Sequence, residues 1–286
     1  MYWYRLTSAF GRNSIVGTTV KNPQNLPQDL LADEKHSKHE GEKVYVATTV
    51  GQDCVLGAAM CSGADTPALT QGYGVFAAEA RNLDPHYQGE TVNTDGWGAT
   101  RAAWQELFPQ IAIILCFLHA FIKVRARCKK RGALFHEIST LVWNAYDAPN
   151  KRSFSQRVRR LREWAQSHLE AGVVLNKIQA LCEKAPLFAL AYEHPSAHRT
   201  SNMLDGLMRW QDRYLFNRQY FHRSWAAAEL GIRAWAILSN FRPYCPRAIG
   251  TRTDGACAAE RLNGFRYSEN WLENLRVSMS MGGYRQ

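Results

Sequence analysis

Acidic residues stand at the ends of two short apolar segments. Asp33 closes the segment DLLAD, and Asp95 directly follows the segment ETVNT. Two carboxylates in contact repel each other unless a cation neutralises them, and carboxylate oxygens are ligands that Mg²⁺ prefers. If the fold brings these segment ends together, the two acids predict a divalent metal site. Each acid also has a plain structural alternative. In this alternative Asp33 only ends a strand, with Glu34 as a neighbour that is easily confused with it, and Asp95 is the first residue of an Asp-Gly turn.

A third acid follows much later in the sequence. Asp205 lies in the first turn of a predicted amphipathic helix whose N-cap is Ser201 or Asn202. Three carboxylates of this kind would complete a site for two Mg²⁺ or Mn²⁺ ions, roughly 3.5–4 Å apart. An acid near a helix N-terminus is also favoured by the helix dipole, so Asp212 is the second candidate for this role.

Cys116 and His119 form a Cys-x-x-His pair at the end of the apolar segment IAIILC. The spacing suggests zinc, but no second pair with ligand spacing lies nearby. We therefore expect Cys116 to pack as a small apolar residue. His119 is expected either to approach the active site or a DNA phosphate, or to have only a structural role.

The hydrophobic pattern predicts the elements that position these residues. DLLAD (29–33), KVYVATTV (43–50) and CVLGAAMC (54–61) predict three antiparallel strands. After a Gly-rich, Pro-containing stretch, the segments ETVNT, GATRAAWQELF and IAIILC predict a β-α-β unit, whose strands are parallel and joined by a right-handed crossover. From about residue 120 onward the pattern is mainly helical.

Three antiparallel strands, a β-α-β unit and then helices follow the order of a ribonuclease H-like fold. The predicted class is α/β: a mixed five-stranded sheet with flanking helices and an α-helical insertion before the third acidic residue. In such a sheet the first and fourth strands are neighbours, so Asp33 and Asp95 are expected side by side, near a carboxyl-end crevice. The expected parts are an irregular N-terminal segment (1–28), the first part of the core (29–119), a basic helical insertion (120–197), the closing core helices (198–242) and a C-terminal tail (243–286).

The charge of the chain favours a polyanionic partner. Lys and Arg number 35 against 25 Asp and Glu, a net charge of +10. Two basic runs, KVRARCKKR and KRSFSQRVRRLR, lie in the predicted insertion. We expect these runs to contact DNA phosphates, although a solvated helix face is the alternative. The residues expected to contact DNA are His119, Arg157, Arg159, Arg160, Arg199 and Arg209, the last two because they flank Asp205 in sequence.

Four motifs carry a family resemblance. They are ADEKH (32–36), TDGWGATRAAWQELFP (94–109), CFLH (116–119) and RTSNMLDGLMR (199–209). Together they resemble the DDE transposases of bacterial insertion sequences, particularly the Mutator-like group with a helical insertion before the third acid. That family usually has Glu as its third acid, whereas this chain has Asp.

The resemblance implies a catalytic and metal-binding set of Asp33, Asp95 and Asp205. It further implies two Mg²⁺ or Mn²⁺ ions, water and then a DNA 3′-hydroxyl as nucleophiles, element ends and target DNA as partners, and a homo-oligomer on DNA. The alternatives are a nuclease of the same fold, which cuts without joining, and a non-catalytic DNA-binding remnant of a mobile element.

Composition restricts the remaining possibilities. Seven cysteines are scattered along the chain without a Cys-x-x-Cys pair, which predicts free thiols and a cytoplasmic location. The longest apolar run has 12 residues, so no membrane association is expected. Only about 28 residues precede the first predicted strand. We therefore expect no separate helix-turn-helix module for recognition of element ends.

Overall fold

The computed structural model describes residues 2–130, 132–245 and 255–282. Arg131 of the first basic run, and parts of the predicted C-terminal tail, lie outside these residues. The chain divides into two compact units. The first unit comprises Met1–Glu90, Trp97–Ile111 and Asn202–Gln286, and the second comprises Thr91–Gly96 and Ala112–Ser201.

The predicted fold class is confirmed. The strands are β1 (Asp29–His39), β2 (Glu42–Gly51), β3 (Cys54–Cys61), β4 (Thr91–Thr94) and β5 (Ala112–Leu115). They form one mixed five-stranded sheet in the order β3-β2-β1-β4-β5, with β1, β2 and β3 antiparallel and β4 parallel to β5. This sheet with its flanking helices is compatible with a ribonuclease H-like α/β fold.

β1 extends further than its apolar segment predicts. The prediction that a strand ends at Asp33 is wrong, because β1 continues to His39, which pairs with Glu42 of β2. Glu40 and Gly41 then form the turn, with φ of 51° and 90°, the left-handed geometry of a tight hairpin. The residues after Asp33 are mainly polar, so the strand continues through backbone pairing that the hydrophobic pattern does not reveal.

The Gly-rich stretch after β3 contains a helix, α3 (Thr66–Leu83), that the sequence analysis missed. Asp65 caps it, its side chain accepting a hydrogen bond from the backbone amide of Ala68 at 2.9 Å. Gly72 is a packing residue, since a Cβ added there would lie 2.3 Å from the sulfur of Cys61. Gly72 permits close contact between α3 and the sheet, and this contact is a packing reason for glycine inside the helix.

The expectation of an irregular segment over 1–28 is also wrong. Helices α1 (Tyr2–Gly11) and α2 (Ile15–Thr19) and a 3-10 turn (Pro23–Asn25) occupy most of it. Long-range contacts with one buried ion pair stabilise these helices. Arg233, completely buried, donates from Nε to the carbonyl oxygen of Gly11 at 2.9 Å. Its partner Glu79 lies 2.6 Å away and also accepts a hydrogen bond from the backbone amide of Val16.

Helices cover both faces of the sheet within the first unit. Helices α3 and α4 (Gly98–Leu107) lie on one face, where Trp104 stacks on Phe108 at 5.7 Å. Residues of α10 (Asn202–Asn217) and α11 (Trp225–Phe241) join the hydrophobic core on the other face. The short helix α12 (Ala258–Asn263) and helix α13 (Trp271–Gly282) follow.

The second unit combines β4 and β5 with a helical region. Its helices are α5 (Phe117–Cys128), α6 (Ala133–Tyr146), α7 (Lys151–His168), α8 (Val173–Glu183) and α9 (Ala185–Ala189). An aromatic cluster forms around Phe117, whose ring centroid lies 5.2 Å from those of Tyr146 and Phe188. The helical region predicted before the third acid is thus built on its own aromatic core.

Candidate functional site

Asp33 and Glu34 lie on opposite faces of β1 because side chains alternate along a strand. The face of Asp33 is the one covered by α10. Two residues further along that face, Lys35 forms an ion pair with Asp212 of α10 at 2.6 Å. Thr48, the cross-strand partner of Asp33, accepts a hydrogen bond from Gln211 of α10 at 3.3 Å.

Glu34 is engaged in the opposite layer. Its Oε1 accepts hydrogen bonds from the hydroxyl of Tyr73 at 2.6 Å and from that of Thr100 at 2.7 Å. Both donors are completely buried. Burial, and then the charge and hydrogen bond of Glu34, raise the pKa of Tyr73 well above its usual value. Glu34 therefore joins α3 and α4 to the sheet. This is a structural role, whereas Asp33 on the opposite face of β1 is the candidate catalytic residue.

Asp205 and Asp212 occupy nearly the same face of α10. Seven residues rotate an α-helix by almost two full turns and advance it by about 10.5 Å. The buried face of α10 is formed by Leu204, Met208, Gln211 and Leu215, and both acids are only partly buried. Asp212 is paired with Lys35. Asp33 and Asp205 thus belong to the same unit and to the same side of the sheet.

Asp95 belongs to the second unit and directly follows β4. The position after it favours glycine, because Gly96 has a φ of 87° and a Cβ there would lie 3.0 Å from a methyl carbon of Leu115. The Gly96 amide donates to the hydroxyl of Thr94 at 3.1 Å. Asp95 and Gly96 thus lie in the short connection that follows β4, and the conformation of Gly96 helps to set the backbone that carries Asp95.

Lys123 of α5 is a candidate residue that the sequence analysis did not single out. Its ammonium lies 3.7 Å from Oδ2 of Asp95, and its side chain is 51% exposed. His119 lies four residues earlier on α5, which places both side chains on one helix face. The spacing of four from His119, within an apolar-to-basic helix, is the sequence signal for Lys123.

Cys116, His119 and Ser201 form a hydrogen-bonded cluster in the second unit. The Cys116 sulfur lies 3.4 Å from the Ser201 hydroxyl, and Nδ1 of His119 lies 3.4 Å from the same hydroxyl. Burial raises the pKa of Cys116, but hydrogen bonds from His119 and Ser201 and the charge of His119 outweigh burial and lower this pKa below its usual value. Cys116 is buried, as expected, but it is more than an apolar residue.

The predicted DNA-contacting arginines differ in their surroundings. The guanidinium of Arg199 lies over the rings of Tyr146 and Tyr192, at 4.3 and 4.9 Å, and donates to the backbone carbonyl of Tyr146. The structure thus gives Arg199 a packing role within the second unit. Arg209 is exposed on α10, one turn after Asp205.

On α7, Arg157 is also partly structural, since it donates to the carbonyl oxygen of Asn144 at 2.6 Å. Arg159 and Arg160 are exposed. Arg159 forms an i,i+4 pair with Glu163 at 3.4 Å, a surface contact that contributes little to stability. The apolar side of the helix is buried through Phe154 and other residues. The cations of this run thus include one that joins helices and others that remain available to a ligand.

The three candidate carboxylates offer the oxygen donors that Mg²⁺ prefers. Asp33, Asp95 and Asp205 are each partly buried, so each side chain keeps some access to solvent. Their donor type therefore fits a hard divalent cation. Within residues 2–130, 132–245 and 255–282, however, no group of three or more His, Cys, Asp or Glu side chains is already arranged as a metal site.

Comparison with known proteins yields no family model that matches the chain, and no curated protein matches it significantly.

All seven cysteines are free thiols. In the part of the chain that the structure describes, no helix is both long enough and apolar enough to cross a membrane.

Proposed function

We propose that this chain is the catalytic domain of a DDE-type transposase, which cleaves DNA strands and transfers them to a target. The observation that carries the proposal is the strand order β3-β2-β1-β4-β5, with Asp33 on β1 and Asp95 directly after β4. Asp205 in the first turn of α10 supplies the third acid. The four motifs that resemble this family contribute the same three residues.

Asp33, Asp95 and Asp205 would together hold two Mg²⁺ or Mn²⁺ ions. When bound, such ions lower the pKa of the attacking water or hydroxyl and stabilise the departing oxygen. The carboxylates would supply the negative charge that balances these ions. Since Asp is shorter than Glu by one methylene, Asp205 has less reach from α10 than the acid usual in the family.

Several cations are suited to the phosphates of the DNA. Lys123 and His119 lie on one face of α5, and Lys123 is already beside Asp95. An ammonium in that position would bind a phosphate oxygen close to the candidate acid. Arg209 on α10 and the exposed pair Arg159 and Arg160 on α7 would contact the backbone further along the strand. We propose element ends and target DNA as partners and a homo-oligomer on DNA as the active assembly.

The test is an incubation of the full chain with Mn²⁺ and labelled DNA taken from both sides of its coding sequence. Joined products on a denaturing gel would support a transposase. Cut products without joining would assign the chain to the nucleases, and binding alone would indicate a non-catalytic remnant. Asp33→Asn is the matched control, because it removes a charge without changing size. Products that persist with this variant would show that they arise from a contaminating nuclease or from a site without Asp33.

A further inference from the structure

A cavity of about 400 Å³ lies in the first unit, where the loop after α10 meets α1 and α11. Its lining includes Arg218, His222 and Arg223, together with Thr7 of α1. No acidic side chain is among the lining residues in the part of the chain that the structure describes. The cavity therefore combines hydrogen-bond donors with positive charge, the chemistry that recognises phosphate.

Backbone contacts hold the loop in an unusual conformation. Gln219, Tyr220 and Arg223 have φ of 53°, 73° and 71°, a left-handed region that is uncommon for residues other than glycine. The loop is fixed at its centre, where the amide of Phe221 donates to the carbonyl oxygen of Lys38 at 3.1 Å. Such conformations persist only where the surrounding structure enforces them.

A second contact fixes the end of the loop. The Nε2 of His39 donates to the carbonyl oxygen of Arg223 at 2.7 Å. His39 is the last residue of β1, so the sheet itself determines where the backbone of Arg223 lies. His222 and Arg223 are therefore carried by a backbone that is anchored on both sides, while their side chains remain exposed.

Arg218 is oriented before any ligand arrives. Its guanidinium lies 5.0 Å from the ring centre of Tyr214 and donates to the hydroxyl of that residue. Tyr214 in turn donates to the carbonyl oxygen of Gly231 in α11 at 2.9 Å. A guanidinium held by stacking loses less rotamer freedom when it binds, and its remaining N–H groups can form further hydrogen bonds.

We infer that this cavity binds a phosphate group, through Arg218, His222 and Arg223. Phosphate groups are present both in the backbone of a DNA strand and in free phosphorylated molecules. The net charge of +10 favours the DNA backbone as the ligand. The inference does not depend on the three candidate acids, because none of them lines the cavity. Loss of DNA cleavage and loss of this binding site are thus separable results.

The test compares the double variant His222→Gln/Arg223→Gln with wild type in the full chain. Affinity for a short DNA duplex of scrambled sequence is measured by fluorescence anisotropy over a range of salt concentrations. Binding of inorganic pyrophosphate is measured by calorimetry. We expect the variant to bind DNA more weakly than wild type. In a plot of log affinity against log salt concentration, we expect the slope to be smaller by about 1 for each phosphate that the variant no longer binds.

The two probes distinguish the sources. A loss of DNA affinity, with or without a loss of pyrophosphate binding, supports the cavity and assigns it to the DNA backbone. A loss of pyrophosphate binding alone supports it and assigns it to a free phosphorylated ligand. If the double variant binds both probes as wild type does, the inference is overturned.

Two further variants serve as controls. Arg276→Gln removes one exposed charge from α13, and we expect wild-type binding of both probes. An equal loss with this variant would attribute the effect to net charge and overturn the inference. Arg223→Lys keeps the charge on the same anchored backbone, so we expect it to retain most of the binding. A denaturation curve for each variant shows that the loss does not reflect unfolding.

Discussion

Replacement of Asp33 and of Glu34 by alanine separates a candidate catalytic acid from a structural one. The two residues are adjacent in sequence but lie on opposite faces of β1. Glu34 accepts hydrogen bonds from Tyr73 and Thr100, whose side chains are completely buried. The Glu34→Ala substitution leaves both hydroxyls without this acceptor. A buried polar group that loses its partner costs about 1–3 kcal/mol, so two such groups predict a loss of about 2–6 kcal/mol in the free energy of unfolding.

Asp33→Ala is expected to cost much less. Asp33 is partly exposed, and its carboxylate accepts a local hydrogen bond from the neighbouring amide of Glu34 at 2.9 Å. Surface substitutions away from buried networks usually change stability by no more than about 0.5 kcal/mol, and we expect Asp33→Ala to lie nearer to this range than to that of Glu34→Ala. The proposed function adds that Asp33→Ala abolishes metal-dependent DNA cleavage.

Urea denaturation followed by tryptophan fluorescence measures both variants under identical conditions. Circular dichroism of the native state provides the control that each variant folds. The reasoning would be refuted if Asp33→Ala lost as much stability as Glu34→Ala. It would equally be refuted if Glu34→Ala unfolded at the urea concentration of the wild type, since the two buried hydroxyls would then not require their acceptor.

Three further predictions concern other residues. Asp205→Ala is expected to abolish DNA cleavage, whereas Asp212→Ala is expected to retain it. Asp212→Ala loses only the partly exposed ion pair with Lys35, which is worth about 0–1 kcal/mol. The reverse ranking of the two variants in a cleavage assay would assign the role of third acid to Asp212. Charge reversal of Arg159 and Arg160 should weaken binding to DNA of any sequence and reduce the salt slope by about 2, and an unchanged slope would make this face of α7 merely solvated. Burial lowers the pKa of Lys21 from 10.5 to about 8, so the unfolded state binds the extra proton between these values and stability should rise with pH across that window. Lys21→Gln should remove that rise in denaturation curves taken from pH 8 to pH 10.5, and an unchanged pH profile would contradict it.

The sequence predicted the elements whose signals are local. The bounds of β3 (Cys54–Cys61) agree with those of its apolar segment CVLGAAMC. Helices α1 and α2 were missed because a buried ion pair between Glu79 and Arg233 stabilises them, and residues 154 positions apart give no local signal. Helix α3 was missed because its glycines suggest a loop, whereas Gly72 provides close packing against Cys61.

The three candidate acids could be selected from the sequence, whereas the contacts around them could not be predicted from it. Asp33, Asp95 and Asp205 were selected from element order and from motif resemblance, both of which the sequence contains. Nothing in the sequence distinguishes Glu34 from Asp33 as a structural acid, because the distinction lies in the partners Tyr73 and Thr100. These partners come from α3 and α4, and α3 was not predicted.

The basic runs show why a count of charges does not define a binding surface. KVRARCKKR reads as a uniform cationic segment, but the helix assigns its members different surroundings. Val124 and Cys128 are buried, Arg125 and Arg127 are exposed, and Lys123 lies beside Asp95. A helix turns by about 100° per residue, so neighbouring cations diverge while residues four apart converge. By this spacing Lys123 shares its helix face with His119 and with Arg127, whereas Arg125 points away from it, and this face of α5 is the part of the basic run that lies beside Asp95.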